Sequence, residues 1–447
     1  MNNSCCYSVT KLSQGVVVPG EATPGGSLAL SDIDQSSLLR CLVPSLHLFK
    51  HGPNQDDAAQ VIRTALSKAL VLYYPMTGKL VQDQNTGQVR VDCTTRNGVW
   101  FIDASANCSL EDINYLDHPF SIPTHLLLPD SLPHINPEDL ILLMQAYIID
   151  VTKFTCGGFV IGIRSSHTIF DGKGAAQFLH AVAELARGME RPAITPVWSR
   201  ELVRISQKAR AVLRPGAVPA LSFTSGRRLE YMIVDIPTEN VNKLKQRYHD
   251  ENGKFCSTFD VLIACVWQCR TRSIGFPPDA HSNLCFAANF LHLLTPALPA
   301  EGGYYGNCFY VLKAKARSEM VANASIVELV NIIKETKKKL PEKFEKWVKG
   351  QDQEDPFQVG GTDDQHESYD TMNATDWRHL GFNDVDYGWG KPARIVPFEH
   401  TETLPFCVLG LPPAKENTVR LMTYCVLKEH YDAFRDQMMS LARPCIT

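Results

Sequence analysis

The sequence predicts an α/β protein of two similar domains, and three observations carry that reading. Its 447 residues are enough for two or three domains at roughly 150 residues each. Strand-like and helix-like patterns recur in both halves. Between the halves, from Met189 to about Ser225, the chain turns rich in Pro, Arg and Ser, with Pro192, Pro196, Pro215 and Pro219, which suits an extended connection. The expected division is a first domain over 1–188, a crossover over 189–225 and a second domain over 226–447. No repeat of roughly 20–50 residues is visible, so a solenoid is not expected.

The first strong element is DDAAQVIRTALSKALVLYYP, where Val61, Ile62, Ala65, Leu66, Ala69 and Leu70 recur at helical spacing and Pro75 closes the segment. QVRVDC and VWFIDAS alternate as half-buried strands. Leu140 to Ile149 and Gly158 to Arg164 are β-rich runs. Beyond Gly172, the stripe Ala175, Phe178, Leu179, Val182 and Leu185 predicts a helix, with Gly188 as its stop. The second half opens with the strand-like LEYMIVDI, then a helix from about Asn240 to Arg247. STFDVLIACVWQCRTRSI follows as an apolar-faced helix. Ile326 to Lys349 reads as a Lys-rich, solvated surface helix, and GQDQEDPFQVGGTDDQHES as an exposed acidic loop.

Hydrophobic residues make up 44% and charged residues 21%, ordinary globular usage. With 44 basic and 48 acidic residues the formal charge is −4, so nothing grips a phosphate backbone and no nucleic-acid partner is expected. The opening residues MNNSCCYSVTKLSQGVVVPG lack the basic end and apolar run of a secretory signal. No stretch approaches the roughly 20 apolar residues that span a bilayer. A cytoplasmic protein that does not enter membranes is the default expectation. The 14 cysteines are scattered without CxxC units and read as reduced, mostly buried small hydrophobes. Cys265 and Cys269 stand four apart on a predicted helix, but no second Cys/His pair accompanies them, so core packing is expected rather than metal.

The sharpest motif is SSHTIFDGKG, Ser165 to Gly174. A β-run delivers His167 onto a turn before a helix, and an imidazole accepts a proton at neutral pH with little tuning. Asp171, four residues on, can orient that imidazole or pin the loop, and Gly172 permits a positive φ at the turn. By spacing alone three readings stand: a satisfied structural histidine, an i, i+4 metal pair, and a general base in acyl transfer. No G-x-S-x-G elbow supports a serine hydrolase. A second motif, VDYGWGKP, places Gly388 and Gly390 around Trp389 in a tight turn, with Asp386 as its anchor.

HTIFDG and DYGWGKP at this separation closely resemble the BAHD family of plant acyl-CoA-dependent acyltransferases. LSDID (Leu30 to Asp34), YYPMTGKL, CSTFDVLIACVW and GGYYGNCFY look like further family blocks in family order. Within the family the wording is most similar to banana-type alcohol acyltransferases that form fruit esters. The resemblance implies two similar mixed-sheet domains of the CoA-dependent acyltransferase type, with a channel between them. It implies acyl-CoA as co-substrate, no bound cofactor, no metal, and a monomer acting on a small-molecule alcohol or amine. Carried over, His167 is the general base, with Asp171 and Asp386 completing the catalytic set. Thr375 and Trp377 line the channel near the substrate, and Gly172, Gly388, Trp389 and Gly390 shape the loops. Amide formation of the piperamide kind is the alternative reaction. An inactive member acting as a binding protein is the alternative outside enzymes.

Three positions depart from the family pattern. Tyr387 stands where Phe is commonest, and Asp376 where Ser is frequent. The family's Asn-x-Arg, whose arginine pairs with the HxxxD aspartate, has Leu291 at the arginine position. His292 or another cation would then have to take over as partner to Asp171.

Overall fold

The computed structural model describes residues 7–36, 39–52, 58–83, 85–94, 98–128, 147–206, 228–294, 303–351, 356–357, 368–397, 404–412 and 417–443, with only the backbone described at 147–150 and 368. The predicted strand start at Leu140, the crossover beyond residue 206 and most of the acidic loop lie outside these residues.

The first half carries β1 (Val9–Val17), β2 (Ser27–Ala29), β3 (Leu42–Phe49), β4 (Lys79–Gln82), β5 (Val89–Asp92), β6 (Val99–Ala106), β7 (Tyr147–Lys153) and β8 (Phe159–Ser166). The second carries β9 (Leu229–Pro237), β10 (His281–Asn289), β11 (Phe309–Arg317), β12 (Thr371–Asp376), β13 (Arg394–Pro397), β14 (Phe406–Gly410) and β15 (Thr418–Leu427). The helices are α1 (Ala58–Leu72), α2 (Gly172–Ala186), α3 (Thr238–Asn252), α4 (Thr258–Ile274), α5 (Ser318–Asn323), α6 (Ile326–Lys338), α7 (Leu340–Val348) and α8 (Lys428–Ala442).

Two six-stranded mixed sheets result. One runs β1-β6-β7-β8-β3-β13 and is parallel between β6 and β7. The other runs β11-β10-β12-β14-β15-β9 and is parallel on both sides of β12. A small sheet, β2-β5-β4, stands apart. The first sheet takes its edge strand β13 from late in the chain, where Ile395 pairs with His47 of β3.

Strand alternation sorts the first sheet's faces. Leu46, Leu48 and Val160 face one core with Ile113 and Leu116. Phe49, Phe159, Ile161 and Ile163 face the other, under α1 and α2. Gly188 takes a φ of +88° beyond α2. Its N–H bonds Leu185 O and that of Met189 bonds Glu184 O, closing a Schellman stop.

The second half corrects two expectations. The predicted apolar-faced helix, α4, is buried without interruption from Asp260 to Thr271, because β12, β15 and helices α3, α5, α6 and α8 surround it. Its polar groups are satisfied inside: Trp267 Nε1 donates to Ser282 Oγ at 2.9 Å and Arg270 Nε to Cys425 O at 2.8 Å. The predicted Lys-rich surface helix is instead the pair α6 and α7. They break at Lys339 because Pro341, in the first turn of α7, has no N–H with which to continue the α6 ladder. Val330, Ile333, Phe344 and Trp347 anchor both in the core, and Lys337 turns inward to pair with the buried Asp260 at 2.6 Å.

Candidate active site

A cavity of about 650 Å³ lies between the two large sheets. Its floor is one face of the first sheet: Val43, Ser45 and His47 on β3, beside Ile163 and Ser165 on β8. The second sheet supplies Phe286, Phe309 and Thr375, and Trp377 follows β12. The wall is mostly apolar, with a few polar groups converging on it, the usual make-up of a small-molecule site.

His167 stands on this cavity just past the end of β8. Its N–H donates to Cys41 O at 3.0 Å, and Thr168 Oγ1 donates to Leu39 O at 2.9 Å, which fixes the turn. The Phe309 ring lies 5.6 Å from the imidazole. His167 Nδ1 is 3.1 Å from Oδ1 of Asn307, a fully buried residue. Asn307 Nδ2 donates to His167 O at 2.8 Å and to Asp34 Oδ1 at 2.7 Å. A carbonyl and a carboxylate oxygen only accept, so they decide which end of the amide faces them. Asn307 Oδ1 therefore faces the imidazole and can only accept, so the proton sits on Nδ1 and Nε2 is left as the base.

Asp34 is itself locked. Its Oδ2 accepts from Ser31 N at 3.0 Å, and its N–H donates to Ser31 Oγ at 3.2 Å. Arg200 Nη1 pairs with Oδ2, and Arg200 Nη2 donates to Ile169 O at 2.5 Å. Both residues of this ion pair are buried. Arg200 belongs to the crossover, which is held where Val197 bridges Tyr304. A charged pair thus holds the amide that holds the histidine. Asn307 and Asp34 sit inside two of the quoted blocks, and Ser31-x-x-Asp34 was a visible local pattern. Arg200, an arginine in a proline-rich connection, carried no signal.

Asp171 caps α2 rather than bonding the imidazole. Its Oδ1 accepts from Lys173 N at 3.0 Å and Gly174 N at 3.1 Å, and its Oδ2 from Cys308 N at 3.2 Å. In place of the expected His292 or other cation, main-chain N–H groups take the arginine's role, while Leu291 packs on the second core. Burial pushes the Asp171 carboxyl above its ordinary value, against the pull of the three N–H groups and His167. With both oxygens so engaged and Nδ1 of His167 on Asn307, the pair is not arranged as metal ligands. Among the described residues no three His, Cys, Asp or Glu side chains gather as a metal site.

Gly172 corrects an expectation. It opens α2 without a positive φ. A Cβ there would meet Leu380 Cδ1 at 2.7 Å, so a larger residue would require the Leu380 side chain to move. Thr375 and Trp377 line the cavity, and Asp376 is neutralised by Arg378 through contacts of 2.9 and 2.6 Å. Asp386 lies off the cavity lining. Its Oδ1 accepts from Gly388 N at 2.7 Å and Gly390 N at 3.0 Å, while Arg187 on the end of α2 donates to its carbonyl. Gly388 and Gly390 take φ of +103° and +101°, and Trp389 packs edge-on to Phe159 at 5.6 Å. Asp386 is therefore an anchor for the loop, and of the site residues carried over from the family the structure places His167, Asp171, Gly172, Thr375 and Trp377 on the cavity.

Comparison with known proteins places this geometry. The Transferase family model matches residues 7–441. Acyl transferase 4 of Oryza sativa subsp. japonica is 42% identical, over 97% of this chain and 98% of that protein. The myricetin 3-O-glucosyl 1,2-rhamnoside 6'-O-caffeoyltransferase AT2 of Crocosmia x crocosmiiflora is 40% identical, covering 97% and 99%. The 3'-N-debenzoyl-2'-deoxytaxol N-benzoyltransferase of Taxus canadensis is 30% identical, covering 97% and 96%. Among solved structures, vinorine synthase shares the fold with a TM-score of 0.69 at 18% identity, over 97% of this chain and 98% of that one. F. graminearum TRI101, complexed with coenzyme A and T-2 mycotoxin, also scores 0.69, at 14% identity over 92% and 97%.

Proposed function

The chain belongs to the BAHD family of acyltransferases, and on that footing we propose that it moves an acyl group from a coenzyme A thioester to the hydroxyl of a small-molecule alcohol in plant specialised metabolism. The observation that carries the reading is the fixed tautomer of His167, which leaves Nε2 free to accept a proton at the cavity. Nε2 takes the acceptor's proton as its oxygen attacks the thioester carbonyl. A tetrahedral oxyanion forms, for which the Thr375 hydroxyl is the candidate donor. Its collapse breaks the C–S bond, and the imidazolium returns the proton to the departing thiolate. One chain supplies every group in this scheme, which supports action as a monomer. Among the described residues no disulfide joins any of the eleven cysteines, which supports a cytoplasmic location.

The Taxus relative favours a second reading, transfer to an amine. The same base serves, since a neutral amine also sheds one proton in forming an amide. A matrix of aliphatic and aromatic acyl-CoAs against alcohols and amines, read by thiol release and product mass, tests both. Ester products support the first reading and amides the second. A chain that releases no coenzyme A from any pair overturns both.

A further inference from the structure

A second buried charge cluster joins the two halves of the molecule. Arg420 on β15 forks onto Asp235 of the neighbouring strand β9, with Nε 2.7 Å from Oδ1 and Nη2 2.5 Å from Oδ2. Its Nη1 donates to Asp117 Oδ1 at 2.7 Å, and Nη1 of Arg394 on β13 lies 3.1 Å from the same oxygen. The Arg394 and Arg420 side chains are only 1% and 5% exposed. One carboxylate from the first half thus ties an edge strand of the first sheet to the second sheet. We propose that Asp117 is a positioning residue, a clasp that sets the spacing of the two cavity walls at the end away from His167. This rests on the acyl-transfer reading for what the cavity does.

Three observations carry the proposal. First, the chain accepts strain to present this carboxylate. Asn114, Tyr115 and Leu116, directly before it, take left-handed φ of +46°, +49° and +59°, which residues with a Cβ avoid. Arg394 Nη1 also meets the Tyr115 carbonyl at 3.4 Å, and Leu116 is buried in one core with Leu46 and Leu48 of β3. Second, the clasp grips the strands that build the walls. Arg394 pairs with Leu48 of β3, the floor strand, while β15 pairs with β14, whose Phe406 lines the cavity from the other sheet. Third, the His167 end is fastened separately. Asn307 and Cys308 of the second half bond Asp34, His167 and Asp171 of the first. Leu42, paired with Ser166 beside His167, stands six residues before Leu48, a strand rise of roughly 20 Å. Losing Asp117 therefore loosens the far end while the base keeps its place.

Three variants test the clasp, each checked by melting. Asp117→Asn removes the charge at constant shape. KM should rise about 5-fold or more while kcat changes far less, the mark of lost binding with the chemistry intact. Amides of residues 394–396 should exchange with deuterium faster, and those of β10 and β11, on the opposite edge of the second sheet, should not. Asp117→Ala leaves room between two guanidinium groups, so sodium formate should reverse both changes better than equal sodium chloride. Asp117→Glu keeps the charge but lengthens the clasp, so it should melt like the wild type and still raise KM. Unchanged exchange in Asp117→Asn, or a loss in kcat with KM intact, overturns the proposal. Wild-type KM in Asp117→Glu makes the residue a structural counter-ion and overturns it too. Exchange is read without turnover, so it judges the clasp even in a chain that releases no thiol.

Discussion

Asn307 Nδ2 and Asp34 Oδ1 stand 2.7 Å apart, with 273 positions of chain between them. Through this contact the buried Arg200–Asp34 pair reaches the amide that faces His167, so the imidazole is oriented by charge placed on the opposite side of the asparagine.

Replacing that amide should cost rate more than stability. Asn307→Ala frees the imidazole to rotate and to change tautomer, and misplacement near 1 Å already costs about 10²-fold. Expected is a fall of that order in kcat at saturating substrate with a small change in KM. An unchanged kcat would remove Asn307 from the orienting role.

The ion pair behind it makes a different prediction. Asp34→Asn leaves a buried guanidinium unpaired and should destabilise the fold by roughly 3–5 kcal/mol. Arg200→Met strands the carboxylate in the same way. The double variant, with both charges gone, should lose less than the sum of the two. Additive losses in denaturant titrations would show that the pair is not one unit.

His167→Ala should lower turnover by about 10² to 10⁴ while the melting curve stays in place. Near wild-type turnover with an intact fold would end the general-base assignment.

Asp171→Ala removes a helix cap worth about 1 kcal/mol and the acceptor for Cys308 N, so stability and rate should fall together. Because the carboxylate already has backbone donors, Leu291→Arg should bring it no stabilising pair. It should instead lower the melting temperature by disturbing the packing around residue 291. A rise in melting temperature that depends on Asp171 would overturn this.

His47 sets a pH dependence with a definite sign. Its folded value is depressed to about 3, so from the ordinary histidine value downward the unfolded chain takes up a proton that the folded chain refuses. Its contribution is complete above that ordinary value and is lost as pH falls towards 3, by at most about 1.4 kcal/mol per pH unit. The stability difference between pH 7 and pH 4 should therefore be smaller in His47→Gln than in the wild type. Equal differences would mean that His47 is protonated in the fold.

His167 and Asp171 stood out as candidates because they share one short motif, and the 386–390 turn because its glycines and anchoring carboxylate are adjacent in sequence, whereas the partners of His167 and Asp171 at Asn307 and Cys308 lie far along the chain. The α1 and α2 stripes were legible because one face of each meets the sheet. α4 was misread as one-sided because packing from every direction leaves no polar stripe to define a face. The Arg200–Asp34–Asn307 chain links residues 166 and 273 positions apart, and no periodicity records such a pairing. His47 lies in a stretch to which the sequence reading assigned no element, and its place on the cavity follows from which face of β3 it occupies.

The edge strand β13 has a consequence for synthesis. Until Arg394 to Pro397 have been synthesised, β3 lacks its outer neighbour β13. That point comes at residue 394 of 447, when about nine-tenths of the chain has been made. Through most of translation the strand bearing Ser45 and His47 is therefore an open sheet edge, the kind of surface that invites wrong partners. The nascent chain carries this cavity floor unfinished until β13 is added.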